Sequence, residues 1–137
     1  MSNSSISVEA TVRKFVDRIN AHDSHGVVAL CTPDHIFIDS LGTQLSGTAR
    51  LEQAWTGYFA LFPDYRIEIE SLISAATLTL LSGWASATHS QSHRSWRIPA
   101  AWRAVVAQDL IAKWQVYADN KSVYEILSSQ DLREENR

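Results

Sequence analysis

The chain has 137 residues, 45% hydrophobic and 20% charged, a balance that suits one globular domain with a single core and excludes a disordered chain. The formal net charge is -3 without a basic stripe, which argues against a nucleic-acid partner. No apolar run is long enough to span a bilayer and the first residues lack the pattern of a signal peptide, so a cytoplasmic protein of bacterial type is expected.

Val8, Val12, Phe15, Val16 and Ile19 fall on one face of a first helix. Ser7 is placed to cap it, and Glu9 suits its positive end. Asp23 is placed to cap a second, shorter helix that ends near Thr32 and Pro33. The only cysteine, Cys31, falls in this apolar stretch; it excludes an internal disulfide and reads as a small buried thiol. Ile36-Phe37-Ile38-Asp39, closed by Ser40-Leu41-Gly42, reads as a short apolar strand ending in a carboxylate and a turn. A third helix is expected from Ser46-Gly47-Thr48. Its stripe is Leu51, Ala54, Trp55, Tyr58, Phe59 and Phe62, and Pro63 ends it.

After Pro63 the period changes from helix to strand. Tyr65, Ile67 and Ile69 alternate with Arg66, Glu68 and Glu70. Thr77 to His89 and Trp96 to Ala107 read as long strands joined by a polar loop. A tight connection at Gln108-Asp109 leads into a last strand from Leu110 to Tyr117. Asp119-Asn120 can cap a short terminal helix through Val123, Tyr124, Ile126 and Leu127. The order predicts an α+β fold, a cone-shaped curved antiparallel sheet packed against three helices of the N-terminal half. The chain is expected to be a single domain over 1–137, with its core at about 8–127 and a frayed tail at 128–137. The mouth of such a cone suits a small apolar ligand.

Several pieces in this order carry a resemblance. They are Phe15, Asn20-Ala21-His22-Asp23, Ile38-Asp39-Ser40-Leu41-Gly42, Ser46-Gly47-Thr48, Phe62-Pro63-Asp64-Tyr65-Arg66, Thr88-His89 and Trp114-Gln115-Val116-Tyr117-Ala118-Asp119. The chain resembles the SnoaL-like polyketide cyclases within the cone-fold group of nuclear transport factor 2, ketosteroid isomerase, scytalone dehydratase and limonene epoxide hydrolase. The cystatin-like fold of that group is implied over roughly Val8 to Tyr124.

The resemblance places Asp39 where ketosteroid isomerase holds its general base. A carboxylate in an apolar cone is desolvated, and such a group can shuttle protons. The isomerase's oxyanion donors are matched by Phe15 and Ala101, and its supporting tyrosine by Trp55. Phe15 and Ala101 have no donor to offer, so steroid isomerisation of that kind is not implied. Limonene epoxide hydrolase shares the spacing of Trp114, Tyr117 and Asp119, but its arginine and aspartate have no counterpart between Thr77 and His89. The dehydratase and the cyclases use carboxylate with histidine. Asp39 with His89, or His89 with Asp119, is the matching pair.

The catalytic candidates are therefore Asp39, His89 and Asp119. The ligand-binding candidates are Phe15, Trp55, Phe59, Ala101, Arg103, Trp114 and Tyr117. Each has a plainer reading. Asp39 can serve as an ordinary turn residue, His89 as part of a polar loop and Asp119 as a helix cap. Alternation separates Trp96, Trp102, Ala104 and Val106 from Arg97, Pro99, Ala101, Arg103 and Val105. With Ala101 facing the cavity, as the resemblance implies, Arg103 also points inward, to bind an acidic ligand or to pair with Asp119. Trp102 then lies outside, in an aromatic patch suited to a homodimer. Trp114 faces the cavity and Tyr117 the opposite side, unless a bulge exchanges them.

No phosphate loop, dinucleotide fingerprint or zinc spacing is present, so neither a cofactor nor a metal is expected. The leading expectation is an acid–base enzyme without a cofactor, acting on a small apolar carbonyl or hydroxyl compound by isomerisation, dehydration, hydration or cyclisation. The alternative is a non-catalytic ligand-binding or dimerisation module. A transport adaptor is a third reading that rests on the shared fold alone.

Overall fold

The computed structural model describes the backbone of residues 5–135 and the side chains of residues 7–128. In chain order the elements are α1 (Ser5–Asn20), α2 (Ser24–Ala29), β1 (Cys31–Ile38), β2 (Gln44–Ser46), α3 (Thr48–Leu61), β3 (Arg66–Ala75), β4 (Leu78–Thr88), β5 (Ser95–Ala107), β6 (Leu110–Ala118) and α4 (Lys121–Glu135). The strands form one curved sheet in the order β2-β1-β6-β5-β4-β3. It is mixed rather than wholly antiparallel. β1 pairs parallel with β6, while each other neighbouring pair is antiparallel. Pairs close in sequence can be joined by short turns, but β1 and β6 are brought together from opposite ends of the chain and no hairpin dictates their direction.

Bulges bend the sheet. One lies between Ile69 and Ser71 on β3, and one falls where Val105 and Val106 of β5 face Lys113 and Ile111 of β6. The β3 bulge faces Gly83, where an added Cβ would run into the Glu68 carbonyl. At the β5–β6 turn, Gln108 and Asp109 both have positive φ, the tight hairpin geometry that follows the strand twist.

Three expectations need correction. α2 stops at Ala29 rather than near Pro33, and Cys31 already opens β1. Pro33 is tolerated there because it lies in the irregular stretch between Cys31 and Ile36, where the ladder with β6 is broken. Ser7 lies inside α1 rather than capping it, and its hydroxyl donates to Asp109 Oδ1 at 3.2 Å. α4 is helical over much of the stretch expected to fray from Ser128; residues 136–137 lie outside the described residues.

The faces of β5 decide where the core lies. Trp96, Ile98, Ala100, Trp102, Ala104 and Val106 are all buried, whereas Arg97 and Pro99 are exposed and Ala101 and Arg103 half-buried. The inner face therefore carries Trp102, and Ala101 and Arg103 lie on the outer one. That reverses the expected assignment. The hydrophobic set takes the dry side, and a one-residue offset exchanges the two sides completely. The outer face is polar in its upper part: the Arg97 guanidinium lies 4.0 Å over the Trp84 ring and pairs with Glu68 at 3.5 Å. The Trp102 patch that suggested a dimer surface is not there.

Short polar clips hold the helices to the sheet. Asn20 makes two bonds to Ile67: its Nδ2 donates to the carbonyl at 3.0 Å and its Oδ1 accepts from the N–H at 2.8 Å. His22, at positive φ, stacks on Phe59 and donates from Nε2 to the Tyr65 carbonyl at 2.7 Å. Asp23 caps α2 by accepting from Gly26 N–H at 2.9 Å. Asp64 accepts from Thr88 N–H. Desolvation pushes the Asp64 pKa up, but the bonds from Thr88 outweigh it and hold the carboxyl below its ordinary value. The motif residues Asn20, His22, Asp23 and Asp64 are thus joints of the frame.

Within the core, His35 is 1% exposed and donates from Nδ1 to the Ile111 carbonyl at 2.7 Å. Burial holds its pKa below the ordinary value, partly offset by that bond and by the Asp34 charge. Burial also pushes the Cys31 thiol up to about 12, which keeps it protonated and unreactive.

Two outcomes follow for stability. Asn20→Ala leaves the buried Ile67 N–H without an acceptor and should lower unfolding stability by about 1–3 kcal/mol in urea titrations. His35 favours the neutral form when folded. Its contribution is full above the unfolded histidine value of about 6.5 and is lost as pH falls toward the lowered folded value. The urea midpoint should therefore fall between about pH 7 and pH 5, and the slope should flatten in His35→Gln.

Candidate functional site

The inner face of the sheet and the overlying α3 leave a cavity of about 270 Å³. α3 contributes Leu51, Ala54, Trp55 and Tyr58, residues spaced so that one helical face points down. β5 contributes Trp96, Ile98, Ala100 and Trp102, and β6 contributes Trp114, Val116 and Ala118. Phe37, Leu45, Tyr65, Ala85 and Tyr124 complete an almost wholly apolar wall. The polar lining is Asp39 and Ser40 from the end of β1, Asn120 from the start of α4, and the phenols and indoles.

Asp39 lies in this lining, with one oxygen committed to the turn that follows. Its Oδ1 accepts from the N–H groups of Leu41 and Thr43, each at 2.9 Å. Its main chain closes the same turn, donating to the Thr43 carbonyl and accepting from Gly42 N–H, each at 3.0 Å. The turn positions the residue and leaves Oδ2 without a partner among the described residues. Beside it, Asn120 Nδ2 donates to Ser40 Oγ at 2.6 Å and ties α4 to the β1 turn.

His89 and Asp119 are not in the lining. His89 is buried at the far end of β4 against Phe62 and bonds through Nδ1 to the Ser92 hydroxyl at 2.8 Å, which braces the β4–β5 loop. Asp119 is exposed, and its Oδ1 accepts from Lys121 N–H at 3.1 Å at the start of α4. The carboxylate–histidine pairs considered from the sequence are therefore not assembled in the cavity. Its neighbour Asn120, read from the sequence only as part of a helix cap, lines the cavity instead.

Among the ligand-binding candidates, Trp55 and Trp114 line the cavity. Phe15 stands behind the wall, 4.9 Å from Trp114 between ring centres, and Phe59 packs between Trp55 and His22. Ala101, Arg103 and Tyr117 lie on the outer face, Tyr117 being 47% exposed. Sequence reasoning missed Trp96 and Trp102 as lining residues. The unbroken apolar alternation from Trp96 to Val106 was the signal that could have found them.

Two lining phenols, Tyr58 and Tyr65, have no hydrogen-bond partner among the described residues, and their rings meet edge-on at 5.0 Å. Burial raises the pKa of Tyr58 well above its ordinary value, helped by Tyr65 and Tyr124, and burial raises that of Tyr65. Both stay neutral and able to donate. Among the described residues no cluster of histidine, cysteine and carboxylate groups could hold a metal. No helix among them is long and apolar enough to cross a membrane.

A family model for the SnoaL-like domain matches residues 12–114. The chain belongs to the SnoaL-like domain family. No curated protein matches. Solved structures of the same fold include AclR of Streptomyces galilaeus, a proposed hydroxylase, at 16% identity and TM-score 0.78, covering 92% of this chain and 98% of that one. A proposed SnoaL-like polyketide cyclase from Jannaschia sp. CCS1 is similar at 13% identity and TM-score 0.79, covering 90% and 94%. An LEH-like epoxide hydrolase of M. tuberculosis is similar at 14% identity and TM-score 0.75, covering 90% and 89%. At such identities the likeness establishes the shared cone fold, and function must be argued from the SnoaL-like cavity itself.

The Asp39 turn has a measurable weight. Asp39→Ala removes the acceptor of two backbone donors and should cost about 1–2 kcal/mol in chemical denaturation, with the fold otherwise kept.

Proposed function

We propose that this SnoaL-like protein binds a compact, largely apolar molecule bearing a carbonyl or hydroxyl group, and carries out acid–base chemistry on it. The observation that carries this reading is the cavity of about 270 Å³ with one carboxylate among the described residues, Asp39, in its apolar lining. That volume lies just below the span of ordinary ligand pockets, about 300 to 1,000 Å³, which is why the guest must be compact. Asp39 is the proton acceptor. Oδ1 is fixed by the turn, and Oδ2 is free to take a proton from a carbon next to a carbonyl or from a hydroxyl. Tyr58 and Tyr65 donate hydrogen bonds to the substrate oxygen as charge builds on it. Their raised pKa values keep those protons in place at neutral pH. Isomerisation needs only these elements, because the proton that Asp39 takes from one carbon is returned to another; in a dehydration or cyclisation the same protonated carboxyl delivers its proton to the departing hydroxide or the newly formed alkoxide.

A second reading is ligand binding without turnover. It is favoured by the positions of His89 and Asp119 outside the lining and by the structural use of Asp39 Oδ1.

Asp39→Asn separates the two. The amide oxygen can still accept from Leu41 and Thr43, so the turn and ligand affinity should persist. Turnover of a small ketone or alcohol found by screening should drop by about 10²–10⁴-fold. Full activity in the variant removes Asp39 as the base. Binding by the wild type with no turnover of any bound ketone or alcohol selects the second reading.

A further inference from the structure

Beside Asp39 the cavity carries an acceptor that the frame does not use. Asn120 and Ser40 both line the cavity, and both are half-buried. Their side chains meet at 2.6 Å, with Asn120 Nδ2 donating and Ser40 Oγ accepting. That bond leaves the Asn120 carbonyl oxygen, Oδ1, and the Ser40 hydroxyl proton without partners among the described residues. Nor is Oδ1 sealed off. The sealed, unpartnered side-chain polar atoms among the described residues are Thr32 Oγ1 and the indole nitrogens of Trp96 and Trp102, and Asn120 Oδ1 is not one of them.

Water can pair with an open amide oxygen. A guest that takes the water's place must bring a donor, because an amide oxygen left desolvated and unpaired is unfavourable. A ketone oxygen only accepts, so it can take a proton from Ser40 or from the phenols but leaves Asn120 Oδ1 bare. An ammonium group only donates, and beside Asp39 it would pair with the carboxylate that the proposed chemistry needs free. A hydroxyl does both: it can accept from Ser40 and donate to Asn120 Oδ1. The Asn120 N–H bond into Ser40 Oγ also polarises the Ser40 hydroxyl and makes it a better donor.

The carbonyl end of the same guest has its place one helical turn away. Tyr124 N–H donates to the Asn120 carbonyl at 3.0 Å, and both residues line the cavity. The Tyr124 phenol is close enough to Tyr58 to help raise the pKa of that group. The start of α4 thus reaches from the Asp39 side to the phenols, a span that one compact molecule can bridge.

We propose that Asn120 is a specificity-determining residue that selects a hydroxy ketone, its hydroxyl between Asn120 Oδ1 and Ser40 Oγ, over the ketone with a methyl group in that place. This rests on the cavity being the ligand site and narrows the ligand class proposed above. Asp39 Oδ2 takes no part in it, so the selection holds whether or not the ligand is turned over.

Two matched pairs test it, each a hydroxy ketone with its methyl counterpart: phenacyl alcohol with propiophenone, and diacetone alcohol with methyl neopentyl ketone. Binding is followed by titration of ¹⁵N-labelled protein, with the Asn120 side-chain amide assigned by through-bond experiments. In at least one pair the hydroxy ketone should bind about fivefold more tightly, the worth of a net hydrogen bond. It should also shift the Asn120 amide resonances further than its counterpart does. Asn120→Ala should erase the preference and keep the affinity for the methyl ketone, whereas a purely structural role would weaken both partners of a pair alike. Equal affinity within both pairs, or a preference that survives Asn120→Ala, overturns the selection but leaves the cavity as a ligand site. Tighter binding of a hydroxy ketone that leaves the Asn120 amide unmoved overturns it as well. If no probe perturbs any cavity residue, the selection and the ligand-site reading fall together. The comparison in the wild type decides by itself, so the test stands even if the variant fails to fold.

Discussion

The inner face of β5 is apolar at every second position from Trp96 to Val106, and it has to be covered. That requirement arranges the rest of the chain. β4 and β6 flank the strand with their own buried residues, Leu81, Ala85 and Ala87 on one side and Ile111 and Trp114 on the other. α1 covers one part of the concave face with Val8, Val12, Phe15 and Ile19, all fully buried. α3 covers another with Leu51 and Trp55. Hydrophobic burial supplies the drive, and the clips from Asn20, His22 and Asp64 fix the angle at which the helices meet the sheet.

A bent sheet capped by straight helices cannot close everywhere. The space left between α3 and the β5–β6 surface is the cavity. Such a void forfeits the dispersion contacts that close packing provides. A molecule that fills it restores those contacts and, by binding only the folded chain, stabilises that state through mass action. Under the proposed function, recognition and stability would therefore be coupled through the same aromatic wall.

The helices, the long strands and their order could be read from the sequence, because each amphipathic period is long and its stops are strong. Pro63 ends one period, and Asp23 starts another. The short β2 was not visible, since three residues hold no pattern. The site was read less well, for two physical reasons. On β5 the resemblance to ketosteroid isomerase set Ala101 inward, although the strand's apolar set, Trp96, Trp102, Ala104 and Val106, lies on the other face. At 11–16% identity to solved neighbours, one slipped position is easily made, and in a strand it exchanges inside for outside. The second reason is that carboxylates and histidines at element ends serve turns as readily as chemistry. Asp119 caps α4, His89 braces a loop, and only Asp39 among the three lies in the cavity lining.

The polarity of the wall then has a direction. Asp39, Ser40 and Asn120 come from the ends of β1 and β6 and gather where these elements meet α4, so the acceptors and the one negative charge collect on one side. Tyr58 and Tyr65 supply neutral donors from α3 and the start of β3. A guest with a single oxygen in an apolar frame has reason to place that oxygen among the donors and to leave its C–H or O–H groups toward Asp39. Under the proposed function these groups would orient such a guest with no lysine, arginine or histidine among the described lining residues. Burial, which raises the phenol pKa values, keeps that donor set protonated across the neutral range.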